Sequence, residues 1–190
     1  MLNLPEKIII FDTEFTAWAG SLENNWSRPN EYREIVQIGA ILVDTEQLIE
    51  IDALNLLVKP AKNPILSEYL TNLTGIRQED IDKAGISFPE AISQFDSWCG
   101  SYPIYSYGGD EENIKENCRL LEMPFVFDAF RFQDIKNIFL DHGIAANQYQ
   151  SGNIMEAFGK KTKLDNHYAL NDARIILEGL RELNSSLSKA

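Results

Sequence analysis

Two carboxylates, Asp12 and Glu14, interrupt the apolar run "KIIIFDTEFT", Lys7 to Thr16. A charge left unpaired in a core costs several kcal/mol, so such groups need a partner. Side chains alternate along a strand, and residues two apart share a face. Asp12 and Glu14 therefore point one way, with Phe11, Thr13 and Phe15 pointing the other. Two like charges so close repel unless one takes a proton or a cation neutralises both. A hard divalent cation that prefers oxygen ligands, Mg²⁺ or Mn²⁺, suits the pair. A strand end fraying into water would also accommodate them. The tripeptide alone is a weak signal, because Asp44-Thr45-Glu46 repeats it where a solvated turn is the simpler reading.

Two more carboxylates join the candidates. Asp110 follows "IYSYGG" and opens a helix, where capping is the ordinary role. Asp172 lies one residue before Ala173, on the shoulder of the apolar stripe of the last helix. There it faces the seam with the sheet; the plainer reading is a shoulder charge that reaches solvent or a basic neighbour.

The elements that must position these groups follow from periodicity. Strands are expected at the opening run, at Arg33 to Asp44, at Leu48 to Pro60, at Pro103 to Tyr107 and at "FVFDAF", residues 125–130. The short link Thr45 to Gln47 makes the second and third an antiparallel hairpin. Residues 64–99 read as helical in pieces, with Ala91, Ile92, Phe95 and Trp98 on one face. "DEENIKENCRLLE" and "DIKNIFLDHG" also read as helices. In "ALNDARIILEGLREL", Ala173, Ile176, Leu177, Leu180 and Leu183 form one apolar stripe. The pattern predicts an α/β fold: a mixed five-stranded sheet with an antiparallel hairpin, flanked by helices, in a single domain over 1–190. In such sheets sites gather at the carboxyl ends of strands. Residues 17–32 read as a polar loop directly after the first carboxylates.

Composition narrows the function. Of 190 residues, 44% are hydrophobic, enough for a globular core. Lys plus Arg is 17 against 29 Asp plus Glu, a net charge of −12. That argues against broad nonspecific nucleic-acid binding, which runs on basic surface. It leaves room for a nucleic-acid enzyme whose contacts are confined to one cleft and whose excess acids are metal ligands. No apolar run approaches the roughly 20 residues that span a bilayer, so no membrane partner is expected. The start lacks a secretory pattern, and Cys99 and Cys118 read as two reduced thiols, which predicts a cytoplasmic protein.

Together, "FDTEF", "SYGGDEENI" and "HYALNDA" resemble, in order and context, the three motifs of the DEDDh 3′-to-5′ exonucleases. These are RNase H-like nucleases that remove nucleotides from a free 3′ end with two metal ions. "LTGI" and "FPEAISQFDSW" look most like the Eri-type exoribonuclease subgroup. The resemblance implies that Asp12 bridges two metals, that Glu14 and Asp172 complete the one nearer the attacking water, and that Asp110 acts through waters on the second. It makes His167, separated by four residues from Asp172 in "H-x-x-x-x-D", the general base. His142 has no such partner and reads as structural. Tyr168 also stands at the spacing of a sister group that uses tyrosine; "H-x-A-L-x-D-A" is the histidine form, so Tyr168 is expected to pack. By the same resemblance, the backbone of Phe15 and Thr16 lies beside the terminal sugar, and Leu73 and Ile76 wedge against the terminal base. Lys160, Lys161 and Lys163 read equally as phosphate contacts or solvated lysines, and Trp18 and Trp26 as possible stacking surfaces. The expected activity is metal-dependent 3′-to-5′ exonuclease action on single-stranded RNA ends. The alternatives are a DNA-directed proofreading or repair exonuclease, and a silent nucleic-acid-binding adaptor on the same fold.

Overall fold

The computed structural model describes residues 2–188. The strands are β1 (Lys7–Phe15), β2 (Ile35–Asp44), β3 (Ile49–Lys59), β4 (Ile86–Ser87), β5 (Ile104–Ser106) and β6 (Phe132–Asp134). The helices are α1 (Glu68–Thr74), α2 (Gln78–Ala84), α3 (Phe88–Cys99), α4 (Asp110–Leu120), α5 (Lys136–Asp141) and α6 (Ala169–Leu187). The sheet order is β4-β3-β2-β1-β5-β6. β1, β2 and β3 run antiparallel in sequence, while β4, β5 and β6 join in parallel.

The mixed α/β architecture and the β2–β3 hairpin are as expected, but the sheet has six strands rather than five. β4 is two residues long, paired with Val58 and Lys59, too short to carry a period. The last strand forms at Phe132–Asp134, not at 125–130. Phe125 and Phe127 instead pack against each other and against Phe132. Between them and the strand the chain turns, with the Phe130 N–H donating to Asp128 Oδ1. An aromatic cluster and a strand present the same apolar alternation, so the pattern alone did not separate them.

Strand parity decides where the chemistry faces. Ile8 and Ile10 of β1 join Ile41 and Val43 of β2 in the core under α6. Ile9 and Phe11 point to the other side, into the core shared with α3 and α4. Asp12 and Glu14 continue the first series and Thr13 the second. The α6 stripe Ala173, Ile176, Leu177, Leu180 and Leu183 is buried as its spacing predicts. Cys99 and Cys118 are free and buried. No helix among the described residues is long and apolar enough to cross a membrane.

Candidate active site

α6 can meet β1 only because β2 carries Gly39 opposite Asp12. A Cβ on Gly39 would lie 2.1 Å from the Leu170 nitrogen, so any side chain would push the helix start off the sheet. Gln37, fully buried two residues earlier on the same face, accepts the Ala169 N–H at 3.0 Å. The Gln37 amide donates to Asn55 Oδ1 at 2.7 Å, and Asn55 donates to the Tyr168 hydroxyl at 2.8 Å. This chain of bonds supplies the cap that Tyr168, as N-cap residue, does not provide with its own side chain. One turn on, Asp172 arrives over the carboxyl end of β1.

Asp110 comes from the other flank, at the first position of α4. Its Oδ1 accepts both the Thr13 N–H at 3.1 Å and the Thr13 hydroxyl at 2.6 Å. Asn113 donates to that hydroxyl at 3.1 Å. Asn117 accepts the Ile35 N–H and donates to the Arg33 carbonyl, so α4 is clamped to both strands. Asp110 is thus a brace across the strand end rather than a simple cap.

The result is a cavity of about 560 Å³ into which Asp12, Glu14, Asp110, Asp172 and His167 all open. Asp12, Glu14 and Asp172 each present an oxygen within 4.8 Å of the others. Asp172 Oδ1 is buried with no hydrogen-bond partner among the described residues; its Oδ2 takes a long contact, 3.5 Å, from the Ser151 hydroxyl. Burial pushes all four carboxyls up. Asp12 stands well above the ordinary range, through burial first and then through Asp110, Asp172 and Glu14. Glu14 rises to about 8 through burial and the charges of Asp172 and Asp110. Asp172 reaches about 7, with the His167 N–H and Ser151 opposing its burial. Asp110 reaches only about 6, because Thr13 donates twice to it. Buried acids with raised pKa values, close enough together to share one ligand, are the arrangement a cation would neutralise. An all-oxygen donor set of this kind fits a hard divalent ion.

His167 adopts a left-handed backbone, φ 60°, and lines the cavity half-buried. Burial lowers its pKa below the ordinary value, which keeps the imidazole neutral near pH 7. Tyr168, one residue on, turns away. Its ring lies against Leu57 and Ile76 in a separate depression, and its hydroxyl is held by Asn55. The two residues that satisfy competing spacings therefore occupy different environments. His142 is exposed at the C-terminal cap of α5, with Nδ1 at 2.8 Å from the Ile138 carbonyl, and does not line the cavity.

The remaining expectations divide. Phe15 lines the cavity, its ring edge-on to Trp26 at 5.4 Å. Thr16 does not: its N–H donates to the Glu34 carbonyl and its carbonyl accepts Trp26 Nε1, so its backbone is already engaged within the protein. Trp26 is sandwiched by Phe15 and the Arg33 guanidinium, and it ties the 17–32 loop down. Trp18 lines no part of the cavity. Leu73 is exposed on α1, whereas Ile76 is buried with Leu66, Leu70 and Ile81 beneath it; neither reaches the cavity. Lys160, Lys161 and Lys163 line shallower depressions outside it, and Lys160 pairs with Glu182 at 2.6 Å. The sequence reading missed Arg33, Lys136, Ser151 and Asn166, all in the cavity wall. No motif flags them, because they come from four segments that only folding brings together.

A mixed sheet with an acidic cluster at the carboxyl end of its central strand defines the RNase H-like class of nuclease folds. The solved nuclease domain of 3′hExo, described as a DEDDh family member bound to rAMP, superposes with a TM-score of 0.79 at 23% identity, covering 97% of this chain and 95% of that one. Cell-death related nuclease 4 gives 0.73 at 20% identity, over 95% and 64%. The family described as exonuclease, of the RNase T type, matches residues 9–180, and the chain belongs to that family. Its three motifs fill the DEDDh pattern. ERI1 exoribonuclease 2 of Xenopus laevis is 32% identical over 49% of this chain but only 12% of its own length. The 3′-5′ exonuclease eri1 of Schizosaccharomyces pombe is 37% identical over 42% of this chain and 25% of its own length. The chain thus spans a quarter or less of these two relatives.

Proposed function

We propose that this chain is a metal-dependent 3′-to-5′ exonuclease, folded as one domain over 1–190, that removes nucleotides from single-stranded RNA ends. The observation that carries the reading is the cluster of buried Asp12, Glu14 and Asp172, each with an oxygen within 4.8 Å of the others, with His167 opening into the same cavity. Asp12, Glu14 and Asp172 would hold the ions directly. Asp110, already committed to Thr13, would act through waters. Two Mg²⁺ or Mn²⁺ ions would supply an acidified water and charge neutralisation on the phosphate. His167 takes the proton from the attacking water at an imidazole nitrogen, for which a neutral ring is required. Its half-buried, left-handed position presents the ring to the cavity. Phe15 supports the terminal nucleotide on one side. Leu73, exposed on α1 outside the cavity, is available to the base of a terminal nucleotide that projects beyond the cavity rim, while Ile76 is buried in the neighbouring apolar cluster. The backbone of Thr16 plays no direct part.

Relatives named as exoribonucleases support RNA as the substrate. The buried free thiols support a reducing, cytoplasmic setting. The test is digestion of 3′-labelled RNA and DNA oligonucleotides of one sequence, at fixed salt, with Mg²⁺, Mn²⁺ or EDTA. Stepwise shortening of RNA that stops in EDTA is expected. Equal or faster digestion of DNA would replace the RNA reading, and digestion unaffected by EDTA would remove the metal.

A further inference from the structure

The cavity is lined by two cations among the described residues, Arg33 and Lys136, and they differ in what already holds them. Arg33 is committed: its guanidinium pairs with Glu116 at 2.7 Å and lies over the Trp26 ring at 5.4 Å. Lys136 is not. Its one carboxylate neighbour, Asp134, stands at 3.8 Å through Oδ2, the outer limit of an ion pair. Asp134 Oδ1 is occupied elsewhere, accepting the N–H groups of Gly108 and Lys136 itself. The ammonium lies 5.6 Å from the centre of the Tyr107 ring. On its other side, Gly108 leaves it room. A Cβ there would come within 3.2 Å of Nζ, and the Gly108 φ of +102° disfavours any side chain. A lysine head is therefore aimed into an acidic cavity from the β5–β6 flank, while α6 brings Asp172 in over β1 and β2.

An ammonium is a compact, strongly hydrated point charge. It gains little from partial pairing at 3.8 Å and much from a phosphate oxygen. The charge balance points the same way. Four carboxylates match two divalent ions, so each phosphodiester entering the cavity brings a negative charge that the acids and ions leave uncompensated. We propose that Lys136 is a substrate-binding residue that pairs with one backbone phosphate at the cleavage end of the strand. Asp134 and Gly108 are the positioning residues that hold its head there. The inference rests on the exonuclease reading and names a contact for which the sequence carries no motif.

The test compares wild type, Lys136→Met and Lys136→Arg. Binding of a fluorescein-labelled oligonucleotide is read by anisotropy in Ca²⁺ across 50 to 200 mM salt, and KM and kcat are read in Mn²⁺. Lys136→Met is expected to weaken binding and raise KM about tenfold with kcat changed much less. The salt slope should shrink by about 0.7, the share of one phosphate on a single strand. Lys136→Arg should restore most of the affinity. Methylphosphonate placed singly at each of the last three linkages should weaken wild type at one position and leave Lys136→Met unaffected there. Unchanged affinity and salt slope in Lys136→Met overturn the proposal. So does a uniform loss at every linkage accompanied by a lower Tm, which would make Lys136 a structural prop. Lys136→Gln replaces the methionine variant if that one fails to fold. A wild-type chain that cuts neither RNA nor DNA strikes the exonuclease reading, and the anisotropy series then still decides Lys136.

Discussion

Asp110 and Asp172 look alike in sequence, each an acid in the first turn of a helix, yet the two walls of the cavity treat them oppositely. Asp110 has an oxygen filled by two donors from Thr13. Asp172 has an oxygen with none. Burial raises both carboxyls, to about 6 and about 7, and the Thr13 donors oppose it at Asp110. Asp110 is braced by the scaffold, while Asp172 keeps one oxygen that no donor of the protein engages. A buried acceptor left bare is costly, and a fold keeps one where a ligand offsets that cost.

The largest expected effect comes from removing the group both walls share. Asp12→Ala should lose at least about 10⁴-fold in cleavage, about 5.5 kcal/mol of barrier, with no loss of Tm. An active Asp12→Ala chain would end the metal reading. Next, His167→Ala should lose about 10² to 10⁴-fold in single-turnover rate while still binding metal. Wild type should gain activity as pH rises through the lowered pKa of His167, and the variant should lack that inflection.

A smaller pair of changes sharpens the contrast between the walls. Asp110→Ala strands the Thr13 donors and should cost about 1–3 kcal/mol in denaturant unfolding of the metal-free protein. Asp172→Ala removes a repelling, unsatisfied acid and should be neutral or stabilising under the same conditions. Equal costs would erase the distinction drawn here.

Stability of the metal-free protein should also follow pH. The folded pKa values of Glu14, Asp172 and Asp110, about 8, 7 and 6, lie above the ordinary values near 4. Between those limits the folded state keeps protons that the unfolded state has lost. Their contribution is therefore complete below about pH 4 and is lost as pH rises toward 8. In EDTA, Tm should fall from pH 5 to pH 8. Added Mg²⁺ or Mn²⁺ should raise it more at pH 8 than at pH 5.5, because protons compete for the same oxygens. The smallest effect is Tyr168→Phe, which deletes one hydrogen bond to Asn55 and should stay within about tenfold of wild-type activity, about 1.4 kcal/mol or less. A crippled Tyr168→Phe beside a near-normal His167→Ala would move the base to Tyr168.

Much of this was legible without coordinates because it depends on local geometry. Alternation along a strand put Asp12 and Glu14 on one face, and helical period put Asp172 on the shoulder of the α6 stripe. The two-residue β4 and the displaced last strand were not legible, since one is shorter than a period and the other shares its alternation with an aromatic cluster.

The sequence by itself determined the chemistry available: four acids and a histidine in family order, on elements whose period is written in the chain. The tertiary structure decided which of them are satisfied and what else stands among them. It bared Asp172 while bonding Asp110, turned His167 inward and Tyr168 outward, withdrew the backbone of Thr16, and brought Lys136 to the cavity. Those outcomes depend on contacts between residues far apart in the chain, such as Gly39 with Leu170 and Gln37 with Ala169. Periodicity reports the face a side chain takes on its own element, but only packing of the elements fixes what that face meets.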